Sequence, residues 1–171
     1  AMVGAKLVMP GPALDGESVY KLIEAEAVTI ALGVPTVWQM LLGHVEKNKL
    51  RFNTLKRTVI GGAAAPAAMI AAFEQDHQVE VLHAWGMTEM SPIGTSCSMG
   101  KAQAELPIAE QLALKTSQGR AVFGVEMRIV DDAGNPQPWD GKAFGDLHVR
   151  GPWIIREYYK AGKSALLEGD W

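Results

Sequence analysis

Strand-like and helix-like segments alternate over the first ninety residues, and this order constrains the fold more than any other feature. Residues 6–10, 28–34, 58–62 and 79–83 are short runs that carry Val, Ile or Leu. Between them, apolar residues recur every three or four positions, which is the spacing of one helix face. Strands that alternate with helices form a parallel sheet covered by helices. We therefore predict an α/β fold, a partial flavodoxin-like subdomain with flanking helices, over residues 1–100.

Three predicted helices carry recognisable start signals. Asp15 can accept hydrogen bonds from the first turn of one helix, and Glu17 lies near the positive end of its dipole. Pro35 and Pro66 suit the first turn of the next two, because proline has no N–H to leave unpaired there.

The second half of the chain changes its periodicity. Residues 90–118 read mostly as loop, with many Ser, Gly and Pro. Apolar and charged residues then alternate with a period of two in residues 125–129 and 147–150, and residues 132–134 suggest a turn. Such alternation is typical of antiparallel strands with one wet face. We predict a small antiparallel β-barrel-like subdomain over residues 101–171.

Composition excludes several classes of protein. A net charge of −3, from 16 basic and 19 acidic residues, predicts no strong attraction to nucleic acid. Cys97 is the single cysteine, so no intrachain disulfide can form, and a reducing cytoplasm is expected. No run of 18 apolar residues predicts a transmembrane helix. The four histidines show no spacing for zinc.

The stretch His83-Ala-Trp-Gly-Met-Thr-Glu-Met-Ser-Pro92 carries the most chemistry. It follows a predicted strand, at the sheet edge where α/β proteins bind ligands. Gly86 permits close approach of a ligand to the backbone, and the Thr88 hydroxyl could hold a phosphate oxygen. Glu89 could bind Mg²⁺ beside it, and Trp85 could stack on a base. The alternative is a strand that enters a loop, with Met and Trp as core residues.

Trp85-Gly-Met-Thr-Glu89 resembles the Tyr-Gly-x-Thr-Glu motif of the adenylate-forming (AMP-binding) superfamily. Position 85 is Trp where that family usually has Tyr, so stacking is kept but a hydroxyl is lost. Further segments resemble family motifs in the family's own order: Gly33-Val-Pro-Thr36, Gly61-Gly-Ala-Ala-Ala-Pro66, Gly119-Arg-Ala121, Gly145-Asp-Leu-x-x-Arg-Gly151, Tyr158-Tyr-Lys160 and Gly169-Asp-Trp171.

The resemblance includes bacterial medium- and long-chain fatty acyl-CoA synthetases. It implies an ATP- and Mg²⁺-dependent fatty acid–CoA ligase that forms acyl-AMP and then transfers the acyl group to coenzyme A. The family's Lys-containing phosphate loop, ribose-binding Asp and C-terminal catalytic Lys have no counterpart in these 171 residues. We therefore expect an internal fragment, inactive alone, whose parent binds fatty acid, ATP and coenzyme A.

The resemblance also implies residue roles. Thr88 and Glu89 are expected to be catalytic, with Glu89 as the Mg²⁺ ligand. The expected nucleotide-binding residues are Gly62, Ala63, Ala64, Trp85, Gly86 and Thr88. The weaker acyl-side candidates are His83, Met90, Ile93 and Gly94. For His83, a satisfied buried histidine is an equal alternative.

Two other functions remain open. The chain could be a non-catalytic binding module or pseudo-enzyme on the same fold, or an unrelated α/β nucleotide-binding enzyme. The first strand and helix of the α/β subdomain are not seen in the sequence, so an exposed sheet edge could also support a homodimer.

Overall fold

The computed structural model describes residues 3–160 and residue 171, and the chain divides into two compact units. Ala1–Trp85 with Ser96–Gly119 forms the first unit, and Gly86–Thr95 with Arg120–Trp171 forms the second. This division differs from the predicted boundary at residue 100, because the chain enters the second unit at Gly86 and returns to the first before residue 100. Gly169 and Asp170, part of the last family motif, lie outside the described residues.

The first unit contains most of the helices and the parallel strands. Its helices are α1 (Gly16–Ala25), α2 (Pro35–Lys47), α3 (Ala67–Ala71), α4 (Lys101–Ala104) and α5 (Ile108–Lys115). A π-helical turn, Ala72–Asp76, continues α3. The strands are β1 (Ile30–Gly33), β2 (Arg57–Ile60) and β3 (Glu80–Gly86), and β4 (Ile93–Cys97) runs from the second unit back into the first.

The strands β1, β2 and β3 are parallel neighbours, which confirms the predicted α/β class. Ile60 lies beside Gly33 on one side and His83 on the other. The chain therefore leaves β2 and β3 at the same edge of the sheet, the edge at which α/β folds place their ligands.

The core of the first unit lies between the sheet and its helices. Trp38, Leu41 and Ile60 are almost fully buried, and the Phe73 ring meets the Trp38 ring edge-on at 6.0 Å between centroids. Helices α1 and α2 approach closely because Gly16 has no side chain. A Cβ there would lie 2.1 Å from the carbonyl oxygen of Met40.

The predicted start of α1 is confirmed. Asp15 is the N-cap, and its Oδ1 accepts a hydrogen bond from the Ser18 N–H at 3.0 Å. This bond holds the pKa of the Asp15 carboxyl below its ordinary value.

Two sequence predictions are wrong in this unit. Residues 6–10 form no strand, and Leu7 and Met9 are largely exposed, because no strand in the described part of the chain pairs with them. Residues 90–118 are not mostly loop, since they contain β4 and the helices α4 and α5. Pro107 precedes α5 and marks its start.

The second unit contains the strands β5 (Arg120–Ala121), β6 (Glu126–Val130) and β7 (Asp146–Arg150) and a 3₁₀ turn at Thr88–Met90. The predicted antiparallel pair is confirmed, with Glu126 opposite Arg150. Among residues 3–160 and 171 this pair forms a two-stranded sheet and no closed barrel, so the barrel stays a prediction. Within the same described ranges, no helix has the length and apolar character needed to span a bilayer.

Candidate functional site

The predicted site residues are divided between the two units, and each group has its own local geometry. The first unit carries Gly62, Ala63, Ala64, His83 and Trp85, and the second carries Gly86, Thr88, Glu89, Met90, Ile93 and Gly94.

The glycine- and alanine-rich loop after β2 presents its backbone to solvent. Gly62, Ala63 and Ala64 are exposed, and Gly62 adopts a positive φ of 79°. A Cβ at Gly62 would also press on Val34 Cγ1 at 3.0 Å. A glycine therefore suits this position on both grounds, and the loop backbone is open to a ligand.

His83 is buried and both of its ring nitrogens have partners. The Ala65 N–H donates to Nε2 at 3.2 Å, so the ring hydrogen must be on Nδ1, which lies 3.2 Å from the Lys115 carbonyl oxygen. The residue is 1% exposed. These contacts favour the structural alternative over a substrate contact, since neither nitrogen is left for a ligand.

Sequence reasoning missed the buried cation beside this histidine. Lys115 ends α5 with 7% exposure, and its ammonium group forms an ion pair with Glu74 in the π-helical turn. Glu74 Oε1 also accepts the Val81 N–H at 2.9 Å, which ties the turn to β3. The partners are 41 residues apart, so no local pattern could pair them.

Trp85 is the second-last residue of β3 and is partly exposed. An indole at this edge offers a flat apolar face, which is the property needed to stack on a base.

In the second unit, the turn after β3 can be built only around a glycine. A Cβ on Gly86 would lie 1.9 Å from the Pro92 carbonyl oxygen. That carbonyl accepts the Met87 N–H at 2.8 Å, which closes the turn around residues 87–92. Thr88 is exposed at the start of the 3₁₀ turn.

Glu89 is held by two bonds from one short segment. Its Oε1 accepts a hydrogen bond from the Tyr158 hydroxyl at 2.5 Å, and its carbonyl accepts the Ile155 N–H at 2.9 Å. The Tyr158 hydrogen bond lowers the pKa of the Glu89 carboxyl, so the group is an anion at neutral pH. Tyr158 is 69 residues away in sequence, and the sequence had no signal that could pair it with Glu89.

The acyl-side candidates of this unit differ in access. Met90 is fully buried, whereas Ile93 is 36% exposed. Gly94 is buried, and its carbonyl accepts the Val122 N–H at 3.0 Å beside β5. Of the three, Ile93 therefore offers a side chain that a ligand could reach.

The described residues contain no group of three or more His, Cys, Asp or Glu side chains arranged to hold a metal ion. The chemistry of the site nevertheless fits Mg²⁺, which binds through one or two carboxylates together with substrate phosphates. Glu89 supplies an anionic carboxylate of this kind.

Comparison with known proteins gives a family match. The family model described as AMP-binding enzyme matches residues 1–159. The chain is 50% identical over 171 residues to the medium-chain-fatty-acid–CoA ligase of Ectopseudomonas oleovorans. The aligned region is 100% of this chain and 31% of the relative. It is also 50% identical over 171 residues to the 3-methylmercaptopropionyl-CoA ligase of Ruegeria lacuscaerulensis, at 100% and 32% coverage.

A solved structure agrees. The amide bond synthetase McbA from Marinactinospora thermotolerans superposes with a TM-score of 0.75 at 25% identity, covering 92% of this chain and 30% of that one. The chain thus spans about a third of the length of the relatives it matches.

Proposed function

Because this chain belongs to the AMP-binding enzyme family, we propose that the protein carrying it is an AMP-forming acyl-CoA ligase that acts on a fatty acid. The two relatives at 50% identity are both acid–CoA ligases by name, and they match the whole of this chain. Their names give different acids. The fatty acid is therefore the specific step of the proposal, supported by the relative that is a medium-chain-fatty-acid ligase.

The proposed reaction has two steps. A carboxylate oxygen of the acid attacks the α-phosphorus of ATP, and the bond to pyrophosphate breaks as acyl-AMP forms. The coenzyme A thiolate then attacks the acyl carbon, and AMP leaves as the thioester forms. Both reactants of the first step are anions, so the step depends on positioning and on charge neutralisation.

The chain's own residues have definite roles in this proposal. The Thr88 hydroxyl donates to a phosphate oxygen, the Trp85 ring lies against the adenine, and the exposed backbone of residues 62–64 lines the nucleotide and acyl pockets. Glu89 holds Mg²⁺, which when bound offsets the negative charge of the phosphates. On the acyl side, Ile93 contacts the acyl group, Met90 and Gly94 shape the pocket from buried positions, and His83 supports the loop.

One structural observation supports the proposal in addition to the family match. Just after β3, an exposed threonine hydroxyl adjoins a carboxylate that is oriented by the Tyr158 hydroxyl, whose hydrogen bond lowers the pKa of the carboxyl. A hydroxyl and an anion on consecutive residues supply a phosphate donor and a cation ligand together.

The proposal is tested by assaying the full-length protein with ATP, Mg²⁺, coenzyme A and saturated fatty acids of graded chain length. We expect AMP and acyl-CoA to form in equal amounts, with a rate maximum at one chain length. The absence of both products with every fatty acid would contradict the fatty acid as substrate, and their absence with 3-methylmercaptopropionate as well would favour a non-catalytic binding module. The 171 residues alone are expected to form no acyl-AMP.

Two further expectations belong to the proposal. For the whole protein, we expect a cytoplasmic enzyme that binds fatty acid, ATP and coenzyme A and no nucleic acid. For the 171 residues alone, we expect a homodimer or aggregation through the β1 edge, where Ile30 and Leu32 are 49% and 73% exposed. A monodisperse monomer in solution scattering would remove the homodimer from the proposal.

A further inference from the structure

We propose that Tyr158 is a positioning residue that holds the Glu89 carboxylate ready to receive a divalent cation. The inference rests on the proposed function, because it assigns the cation site of that same ligase. Neither the sequence motifs nor the comparisons assign a role to Tyr158.

The first support is that two hydrogen bonds hold Glu89, one at its backbone carbonyl and one at its side chain. The Ile155 N–H holds the Glu89 carbonyl at 2.9 Å, and the Tyr158 hydroxyl holds Oε1 at 2.5 Å. A backbone bond and a side-chain bond from the same four-residue segment fix both ends of the glutamate. A glutamate side chain without such bonds samples several rotamers, and ordering it has an entropy cost.

The second support is that Tyr158 binds one of the two carboxylate oxygens of Glu89. The hydroxyl of Tyr158 donates one hydrogen, and it goes to Oε1. Apart from the Tyr158 bond and a contact with its own backbone N–H, the Glu89 carboxyl accepts no hydrogen bond from the described residues. The phenol thus occupies one oxygen, and no other residue of the described chain binds the second.

The third support is the chemical nature of the donor. Tyr158 is a neutral phenol, whereas the cationic side chains of this segment, Arg156 and Lys160, make no bond to Glu89 in the described structure. A guanidinium or ammonium group in the place of the phenol would cancel the carboxylate charge and repel a metal ion. A neutral donor orients the carboxylate and leaves its charge for the cation, as partners of metal ligands commonly do.

Tyr159 provides a matched control. It is the next residue and is 89% exposed, and its hydroxyl makes no hydrogen bond to the described residues, whereas Tyr158 is 42% exposed. Both Tyr→Phe changes remove one oxygen atom from an accessible ring, so neither is expected to disturb the fold. Circular dichroism of the two variants checks that they are folded alike.

The binding experiment uses the full-length protein with Mn²⁺, which takes the same oxygen ligands as Mg²⁺. Electron paramagnetic resonance reports free Mn²⁺ in the presence of a non-hydrolysable ATP analogue. We expect Tyr158→Phe to weaken Mn²⁺ binding about 10-fold, in the range seen for partners of metal ligands, and Tyr159→Phe to leave it unchanged. Equal binding by the two variants, or tighter binding by Tyr158→Phe, would overturn the inference.

A double-mutant cycle on acyl-AMP formation tests whether Tyr158 acts through Glu89. In the wild-type background, Tyr158→Phe should raise the apparent KM for Mg²⁺ and leave the KM for the fatty acid unchanged. In the Glu89→Gln background it should have no further effect. An equal loss in both backgrounds overturns the inference alone, provided that the wild type forms acyl-AMP. A wild type that forms none overturns the proposed function as well.

Discussion

The backbone N–H of Ala65 donates a hydrogen bond to Nε2 of His83 over 3.2 Å, and so joins the glycine- and alanine-rich loop to the strand β3. The other ring nitrogen faces the Lys115 carbonyl at the end of α5. One imidazole thereby links three elements of the first unit. These contacts favour a structural role for His83 beside this loop, even though the residue lies in the motif with the most chemistry.

Replacing His83 by Ala is expected to lower the free energy of unfolding by about 3 kcal/mol, because two buried backbone groups lose their partners and a cavity is left. His83→Gln should lose less, since its amide oxygen can still accept the Ala65 N–H. Urea denaturation measures both changes, and amide exchange at Ala65 should speed up in the Ala variant. A Gln variant with normal stability and a raised KM for the fatty acid would instead identify His83 as a substrate contact.

Gly86→Ala is expected to destabilise the protein by about 1–3 kcal/mol and to impair adenylate formation, because the new methyl group would meet the Pro92 carbonyl at 1.9 Å. Gly43→Ala is the control. Gly43 is exposed in α2, and a Cβ added to it would have nothing within 4 Å, so the change should stabilise by about 0.5–1 kcal/mol. Thermal denaturation compares the pair, and equal effects would contradict the close approach at Gly86.

Glu89→Gln is expected to reduce the rate of acyl-AMP formation by about 100-fold, because a neutral amide cannot offset the charge of a divalent cation. The release of pyrophosphate from ATP and a fatty acid measures this step. Glu157→Gln removes an equal charge from an exposed residue next to Tyr158 and should leave the rate unchanged. Unchanged rates in Glu89→Gln would exclude this residue from the cation site.

The N-cap of α1 should give the protein a pH-dependent stability. The Ser18 bond lowers the pKa of Asp15 from its ordinary value of 3.8, so the folded state favours the ionised carboxyl. This contribution is complete above the unfolded pKa and is lost as the pH falls through the lower folded value.

Asp15→Asn keeps a cap without the charge and so isolates this effect. The wild type should be the more stable of the two by urea denaturation at about pH 7, and the difference should shrink at about pH 3. A difference that does not change with pH would show that the charge of Asp15 has no part in the cap.

Much of the first unit follows from local sequence patterns. The cap at Asp15, the start of α2 at Pro35 and the parallel strands are each coded by a few neighbouring residues, because capping and amphipathic spacing are local effects. The missed helix α5 has a weaker stripe, and the Ser and Gly residues around it led to a loop prediction. The wrong strand at residues 6–10 shows the opposite error, since an apolar run forms a strand only where a partner strand exists.

The candidate site shows the same division. The motif at residues 85–89 could be found from the sequence, because its residues are adjacent. Tyr158 and Lys115 could not, because each meets its partner only after folding, across 69 and 41 residues. Residues that orient a functional group from a distance leave no local pattern, since their spacing along the chain is set by the fold.

The π-helical turn Ala72–Asp76 gives the first unit a particular sensitivity to chain length. Such a turn contains one residue more than the α-helical geometry accommodates, and Glu74, the partner of Lys115, lies inside it. Deletion of a residue ahead of Glu74 in this turn would return the segment to α-helical winding, in which each residue turns by about 100°, and so change the direction of the Glu74 side chain. The orientation of this carboxylate therefore depends on the number of residues in the turn as well as on their identity. Deleting one amino acid here would disrupt the ion pair with Lys115 more than most single substitutions would.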